Sequence, residues 1–315
     1  MQSEYIIRVE NLVKRYGELT AVDSASFAVA KGEIFGLLGP NGAGKTTTIS
    51  ILSCLVKPTS GSATVAGHSV VADSFGARSR IGVVPQDIAL YPTLSAHENL
   101  WFWGRMYGLP DTVLAGRVDA ILNVVQLEER ARNRIETFSG GMKRRINIAA
   151  GLLHRPDVLF LDEPTVGIDP QTRRSILELV KRLNGEGLTI LYTTHYLEEA
   201  ELLCDRIAIM DEGRIIAMGT AEELTDSIGA QSVISVRADG LRRDTVDWVS
   251  SLPEVSEALL EEDRLAVNLQ RGADLLPVLV EKLAESGATV HSVDVTVPNL
   301  ESVFLHLTGK SLRDE

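Results

Sequence analysis

Short apolar runs, each closed by glycine, proline or polar residues, recur along the first two-thirds of this chain. Ile34–Leu38, Val158–Leu161 and Thr189–Thr194 are unbroken apolar or β-branched runs, the pattern of strands buried on both faces. Tyr5–Val9 and Ala25–Val29 read as shorter strands with a turn at Lys31–Glu33, and Arg80–Val84 as another β-branched strand. Thr59–Gly67 reads as a turn and a short strand. Between residues 92 and 154 the period becomes helical. Ser95 and Glu98 have capping-box spacing ahead of Leu100–Trp103, and Val118–Gln126 is a second helical stretch. A third helix starts at Ser139, a good N-cap, and runs through Ile146 and Leu152 toward Pro156. Gln171–Leu183 is amphipathic, and Ile207–Met210 with Arg214–Ala217 flank a hairpin turn at Asp211–Gly213. Strands alternating with helices predict an α/β fold.

The pattern changes near residue 225. Strands are predicted at Ser232–Val236, Val255–Leu260, Leu265–Leu269 and Thr289–Val295, with helices at Thr245–Leu252, Asp274–Glu285 and from Asn299. The order βαββαβ is that of a ferredoxin-like split unit. The expected division is therefore 1–224, with a helical subdomain over about 88–154, and a small α+β domain over 225–315. The second domain shows no cluster of Cys, His or paired carboxylates, and reads as a regulatory or docking module.

Chemistry concentrates at Gly39-Pro40-Asn41-Gly42-Ala43-Gly44-Lys45-Thr46-Thr47, set between the strand at 34–38 and a helix-compatible segment. This is the G-x-x-x-x-G-K-[ST] spacing in the strand–turn–helix context it requires. Glycines let successive N–H groups curl inward onto phosphate oxygens, and the following helix adds its positive end. Lys45 supplies a mobile charge for the β- and γ-phosphates, and Thr46 a hydroxyl for Mg²⁺. The loop is read as binding a nucleoside triphosphate.

Other candidates stand at strand ends. Val158–Leu161 delivers Asp162 and Glu163, adjacent carboxylates that are costly to bury without a cation or hydrogen bonds. Asp162 suits a Mg²⁺ shell, and Glu163 is then free to take a proton from an attacking water. Gln86 follows the strand at 80–84 and has two readings, a ligand contact at the sheet edge or a plain strand-to-loop transition. His195, after 189–194, is either structural or a donor to a γ-phosphate. Tyr16 is a half-buried strand residue or a ring that stacks on a purine. Lys143-Arg144-Arg145 in a first helical turn opposes the helix dipole; a solvated basic face or a facing phosphate would explain it.

Composition narrows the class. The 315 residues are 44% hydrophobic and 23% charged, ordinary for a globular protein of one large and one small domain. A formal net charge of −12 argues against a dedicated nucleic-acid surface. The two cysteines, Cys54 on the helix behind the phosphate loop and Cys204, suggest no disulfide framework or metal cluster, and a reducing cytosol fits. Met1–Tyr5 lacks a leader pattern, and no apolar run approaches the ~20 residues that span a bilayer.

Together these residues resemble the ATP-binding cassette (ABC) family over roughly residues 5–220. Tyr16 matches the aromatic A-loop, 39–47 Walker A, Gln86 the Q-loop and 139–143 the signature. Residues 158–163 match Walker B, Asp169 ends the D-loop, and His195 matches the switch histidine. The usual Leu-Ser-Gly-Gly-Gln reads Phe138-Ser139-Gly140-Gly141-Met142 here, similar to the daunorubicin-resistance branch of multidrug, polysaccharide and lipid exporters, as is the tail 297–309. The resemblance implies a P-loop NTPase cassette with a mixed sheet core, an antiparallel β subdomain and a helical subdomain. It implies Mg·ATP held by one copy's Walker A and by Ser139, Gly140, Gly141 and Met142 of a second copy, hence a homodimer. Glu163, His195 and Lys45 would be catalytic, and Thr46, Gln86 and Asp162 would arrange the metal. A separate integral-membrane permease, docked near 87–107 at the cytoplasmic face, would be the partner, with no nucleic acid. The rival readings are a soluble cassette acting as a mechanical clamp and a regulatory cassette without useful turnover. The acidic single cassette counts against the first, and intact Glu163 and His195 against the second.

Overall fold

The computed structural model describes residues 5–229, 232–261, 263–269 and 275–310. The chain divides into two compact units, the first running through Ala221 and the second from Glu222. Strands β1 (Tyr5–Tyr16) and β2 (Leu19–Ala30) pair antiparallel, and β3 (Ile34–Leu38) leads through the phosphate loop into helix α1 (Lys45–Leu52). Next come β4 (Ser60–Val65), β5 (His68–Ser69), α2 (Ser74–Ser79) and β6 (Ile81–Val84). Three helices follow: α3 (Ala96–Met106), α4 (Asp111–Val124) and α5 (Gly140–Leu152). The chain returns through β7 (Val158–Asp162), α6 (Pro170–Gly185), β8 (Thr189–Thr194) and α7 (Leu197–Leu203). The hairpin β9 (Arg206–Asp211) and β10 (Arg214–Gly219) precedes α8 (Ala221–Ser227).

The central sheet has the order β10-β9-β3-β8-β7-β6, parallel throughout except for β10. Its strands β3, β7 and β8 are buried at every residue, as unbroken apolar runs require when both faces are covered. A second sheet, β2-β1-β4-β5, is antiparallel and packs its apolar face with α1 and the central sheet around Ile7, Val29, Phe35 and Ile51. The other face of the central sheet shares a core with α3–α6 around Leu100, Leu122, Ile148 and Leu161. The mixed α/β cassette expected from the sequence is the observed architecture.

Several element boundaries differ from the sequence expectation. β1 continues to Tyr16 because Asn11 takes a left-handed conformation and bulges, so that Leu12 turns inward after Ile7 and Val9. The alternation was broken by one residue, which hid the second half of the strand. Helix α4 begins at Asp111, seven residues ahead of Val118, because its first turn is polar on the exposed side. Cys54 lies beyond the end of α1, in a left-handed turn, rather than on that helix.

In the second unit β11 (Ser232–Asp239), α9 (Arg243–Ser250), β12 (Val255–Glu261) and β13 (Arg264–Leu269) precede α10 (Leu276–Glu285), β14 (Thr289–Thr296) and α11 (Leu300–Thr308). The sheet is antiparallel with order β12-β13-β11-β14, and Val236, Val267, Val249 and Leu279 share its core. The expected helix start at Asp274 and the leader reading of residues 1–4 lie outside the described residues.

Candidate functional site

Because β3, β6, β7 and β8 are parallel, the residues that follow them emerge on one edge of the sheet. Gly39 follows β3, Gln86 follows β6, Glu163 follows β7 and His195 follows β8. A cleft of about 330 Å³ opens there, floored by residues 41–47 and walled by Tyr16, Leu19, Gln86 and Glu163.

The phosphate loop is shaped by its glycines. Gly44, the residue before α1, has φ 102°, and a β-carbon on it would run into the Ala21 carbonyl. No side chain caps α1, which leaves its first N–H groups directed at the cleft. Lys45 is only 4% exposed, and its ammonium donates to the carbonyls of Gly39 (2.7 Å) and Pro40 (2.9 Å). It also pairs with Glu163 Oε1 at 3.0 Å. Thr46 Oγ1 donates to Asp162 Oδ1 at 3.2 Å.

Glu163 is the point of convergence. Beyond Lys45 it meets His195 Nδ1 at 3.1 Å and Gln86 Nε2 at 3.4 Å, both on Oε2. Its backbone has φ 43°, a left-handed conformation that costs a non-glycine residue free energy and marks a functional constraint. Thr193 ties the two acidic residues together: its hydroxyl accepts from the Glu163 backbone N at 2.9 Å and donates to Asp162 Oδ1 at 2.7 Å. Burial pushes the Asp162 carboxyl above its ordinary range, opposed by the Thr193 and Thr46 hydroxyls and reinforced by the neighbouring Glu163 charge. A desolvated carboxylate beside a hydroxyl is a hard oxygen pair suited to Mg²⁺.

Ser139, Gly140, Gly141, Met142 and Asp169 do not line this cleft. Ser139 caps α5 by accepting from Met142 N, and both Ser139 and Gly140 are exposed. Gly141 is packed so closely that a β-carbon would collide with the Thr172 methyl. Asp169 caps α6 by accepting from Thr172 N at 3.0 Å, which holds its carboxyl below the ordinary range.

Lys143-Arg144-Arg145 is not a uniform solvated face. Arg144 is 4% exposed and donates to the backbone carbonyls of Pro85 (2.7 Å) and Gln86 (2.5 Å), while Arg145 bonds Ser175. One turn on, Asn147 accepts from Ala89 N and donates to Asp87 O. Helix α5 thus grips the backbone of 85–89. Thr193 and Leu19 were not singled out in the sequence, and Arg144 stood there only as one of three basic residues in a run. Thr193 carried a signal, a hydroxyl at the end of an apolar run just before His195. Leu19 carried one only through its cross-strand pairing with Tyr16.

A glycine-rich loop between a parallel strand and a helix, with a Lys, a Thr and paired carboxylates at the end of β7 one strand further along the sheet, defines a P-loop nucleoside triphosphatase. Residues 22–166 match the ABC transporter family. Over 98% of this chain, the linearmycin resistance ATP-binding protein LnrL of Bacillus subtilis (strain 168) is 50% identical and matched along 100% of its length. The daunorubicin resistance ATP-binding protein DrrA3 of Streptomyces coeruleorubidus is 40% identical, over 98% of this chain and 97% of its own. Among solved structures, the dimeric ATP-binding cassette MJ0796, bound to ADP and Pi after hydrolysis, superposes with a TM-score of 0.61 at 28% identity. That alignment spans 68% of this chain and 98% of the cassette. The chain belongs to the ABC transporter family as an ATP-binding, ATP-hydrolysing protein.

Proposed function

We propose that this chain is the ATP-hydrolysing subunit of an exporter, closing as a head-to-tail homodimer on Mg·ATP and driving a permease carried on a separate chain. The observation that carries the reading is the convergence of Lys45, Gln86 and His195 on Glu163 at one sheet edge. In it, Glu163 takes the proton of the attacking water, with His195 and Lys45 holding the γ-phosphate. Residues Gly39 to Thr47 wrap the phosphates, and Tyr16, 47% exposed at the cleft wall, stacks on the base. Ser139, Gly140, Gly141 and Met142 meet the ATP of the opposite copy, with Asp169 in the same seam.

Thr46, Gln86 and Asp162 would hold Mg²⁺. No group of three metal-binding side chains occurs among the described residues, and Mg²⁺ takes its remaining ligands from phosphates and water. When bound, the ion neutralises charge on the phosphate oxygens.

The permease seat is proposed at an apolar groove of about 320 Å³ lined by Leu55, Pro85, Ala89, Trp103, Tyr107 and Gly151. Pro85 in this seat is followed in the chain by Gln86 of the nucleotide cleft. Among the described residues no helix is long and apolar enough to cross a membrane. The proposed location is the cytoplasmic face, as a peripheral subunit, with 225–315 an accessory or regulatory domain. The proposed substrate is of drug, lipid or polysaccharide type, and relatives named for linearmycin and daunorubicin resistance support the drug.

The test is purification of the tagged protein from detergent-solubilised membranes. A stoichiometric multi-span protein, with ATPase activity that responds to it, is expected. Recovery with ribosomes, DNA or nothing attached leaves the ATPase standing and removes it from transport.

A further inference from the structure

Glu199 is a buried carboxylate that the reaction described above does not use. It sits on α7, just beyond His195, and is 2% exposed. Three hydroxyls donate to it: Thr165 at 2.6 Å on Oε1, and Tyr192 and Thr194 at 2.9 Å each on Oε2. Arg173 Nε stands 3.5 Å from Oε1. A carboxylate this deep is costly unless its oxygens are taken up, and here both are.

What matters is where the donors lie. Thr165 stands at the start of the loop that ends at Asp169, and Arg173 lies in the first turn of α6, just after it. Both shoulders of that loop therefore face one oxygen. The other oxygen takes Thr194, the residue before His195, whose hydroxyl also accepts from Tyr196 N at 2.9 Å. The contact continues through rings. The Arg173 guanidinium lies 4.2 Å over Tyr196, whose ring centroid is 4.2 Å from that of His195. Burial and the Glu199 charge push the Tyr192 phenol up, so it stays a hydrogen-bond donor across the physiological range.

We propose, resting on the head-to-tail dimer above, that Glu199 is a positioning residue that joins the Asp169 loop to His195. Closure of a second copy on the loop then fixes the histidine over the phosphate. The link is a buried polar network in which hydroxyl donors take up both Glu199 oxygens. Glu199 does not line the nucleotide cleft. It acts through Thr165 on one side and Thr194 on the other.

The test uses the full chain and three comparisons. Glu199→Gln keeps the shape of the side chain and removes its charge. ATP affinity should be retained while kcat per ATP-binding site falls about tenfold, with KM little changed. Thr165→Val, which removes only the loop-side donor, should lower kcat in the same way and covers the case in which Glu199→Gln fails to fold. In the Glu163→Gln background, which should trap the ATP-bound dimer, Glu199→Gln should weaken ATP-driven dimerisation about tenfold. A double variant with Asp169→Ala decides the route: its kcat should match that of Asp169→Ala alone, because both act through one loop. Multiplying effects, or turnover near the wild-type value in both Glu199→Gln and Thr165→Val, overturns the link. If Glu163→Gln itself neither dimerises on ATP nor stops turnover, the hydrolytic dimer is lost and this link with it.

Discussion

Two helix N-termini in this chain carry glycines, and they are built in opposite ways. Helix α1 begins after a left-handed Gly44 with no side-chain cap, and its open N–H groups line a cleft with Lys45 and Glu163. Helix α5 is closed by the Ser139 hydroxyl, exposes Gly140 and carries a basic run from Lys143 at the end of its first turn into the second. The first terminus has its own chain's carboxylates and cations around it. The second presents its glycine to solvent, where a β-carbon would meet nothing within 4 Å. A site whose halves are so unequal within one chain is suited to completion by a second copy.

The sharpest break in the comparison is at the first terminus. Lys45→Ala should weaken ATP binding by about 10- to 100-fold, the loss of one or two charge-assisted hydrogen bonds. Titration with a fluorescent ATP analogue reads this directly, and unchanged affinity would mean that the loop does not hold phosphate. At the second terminus, Gly140→Leu should leave the thermal midpoint and ATP affinity as they were, because its own chain offers no obstacle. Turnover should nonetheless fall about 100-fold, as expected when a reacting group is displaced by an ångström. Its neighbour behaves differently: Gly141→Ala collides with Thr172 and should cost about 1–3 kcal/mol in denaturant unfolding.

Smaller effects concern what supports each terminus. Arg144→Ala removes two donors from the carbonyls of Pro85 and Gln86 and should cost about 1–3 kcal/mol. The smallest is electrostatic. Burial holds the Asp162 carboxyl above its ordinary range, so the folded nucleotide-free protein binds that proton more tightly than the unfolded chain. Its contribution to stability is greatest in acid, below the ordinary carboxylate range, and is lost as pH rises through the raised value. Asp162→Asn should therefore raise the thermal midpoint at neutral pH, with the gain disappearing in acid.

The residues that make the cleft were legible because their chemistry is tied to chain position. A buried parallel strand has to end somewhere, and a polar residue just past that end must reach the sheet edge, as Gln86, Glu163 and His195 do. Supporting groups were harder to see. Arg144 sits in a run of three basic residues, and nothing in that run distinguishes the one that turns inward. Glu199 shares an acidic pair with Glu198, and only the helix phase around Ala200 and Leu203 selects it for burial. The bulge at Asn11 hid half a strand because periodicity arguments assume an unbroken phase.

The grip of α5 on residues 85–89 falls on main-chain atoms, three carbonyls and one amide, and the Trp103 indole of α3 adds a fourth carbonyl at Ala89 O. Main-chain atoms are the same whatever side chain they carry. Exchanging the exposed Ile88 thus removes none of these bonds, whereas the Asp87 charge also acts on Arg144. A segment held this way is a modular coupling: its exposed side chains can be rewritten while the hydrogen bonds to its main chain stay in place.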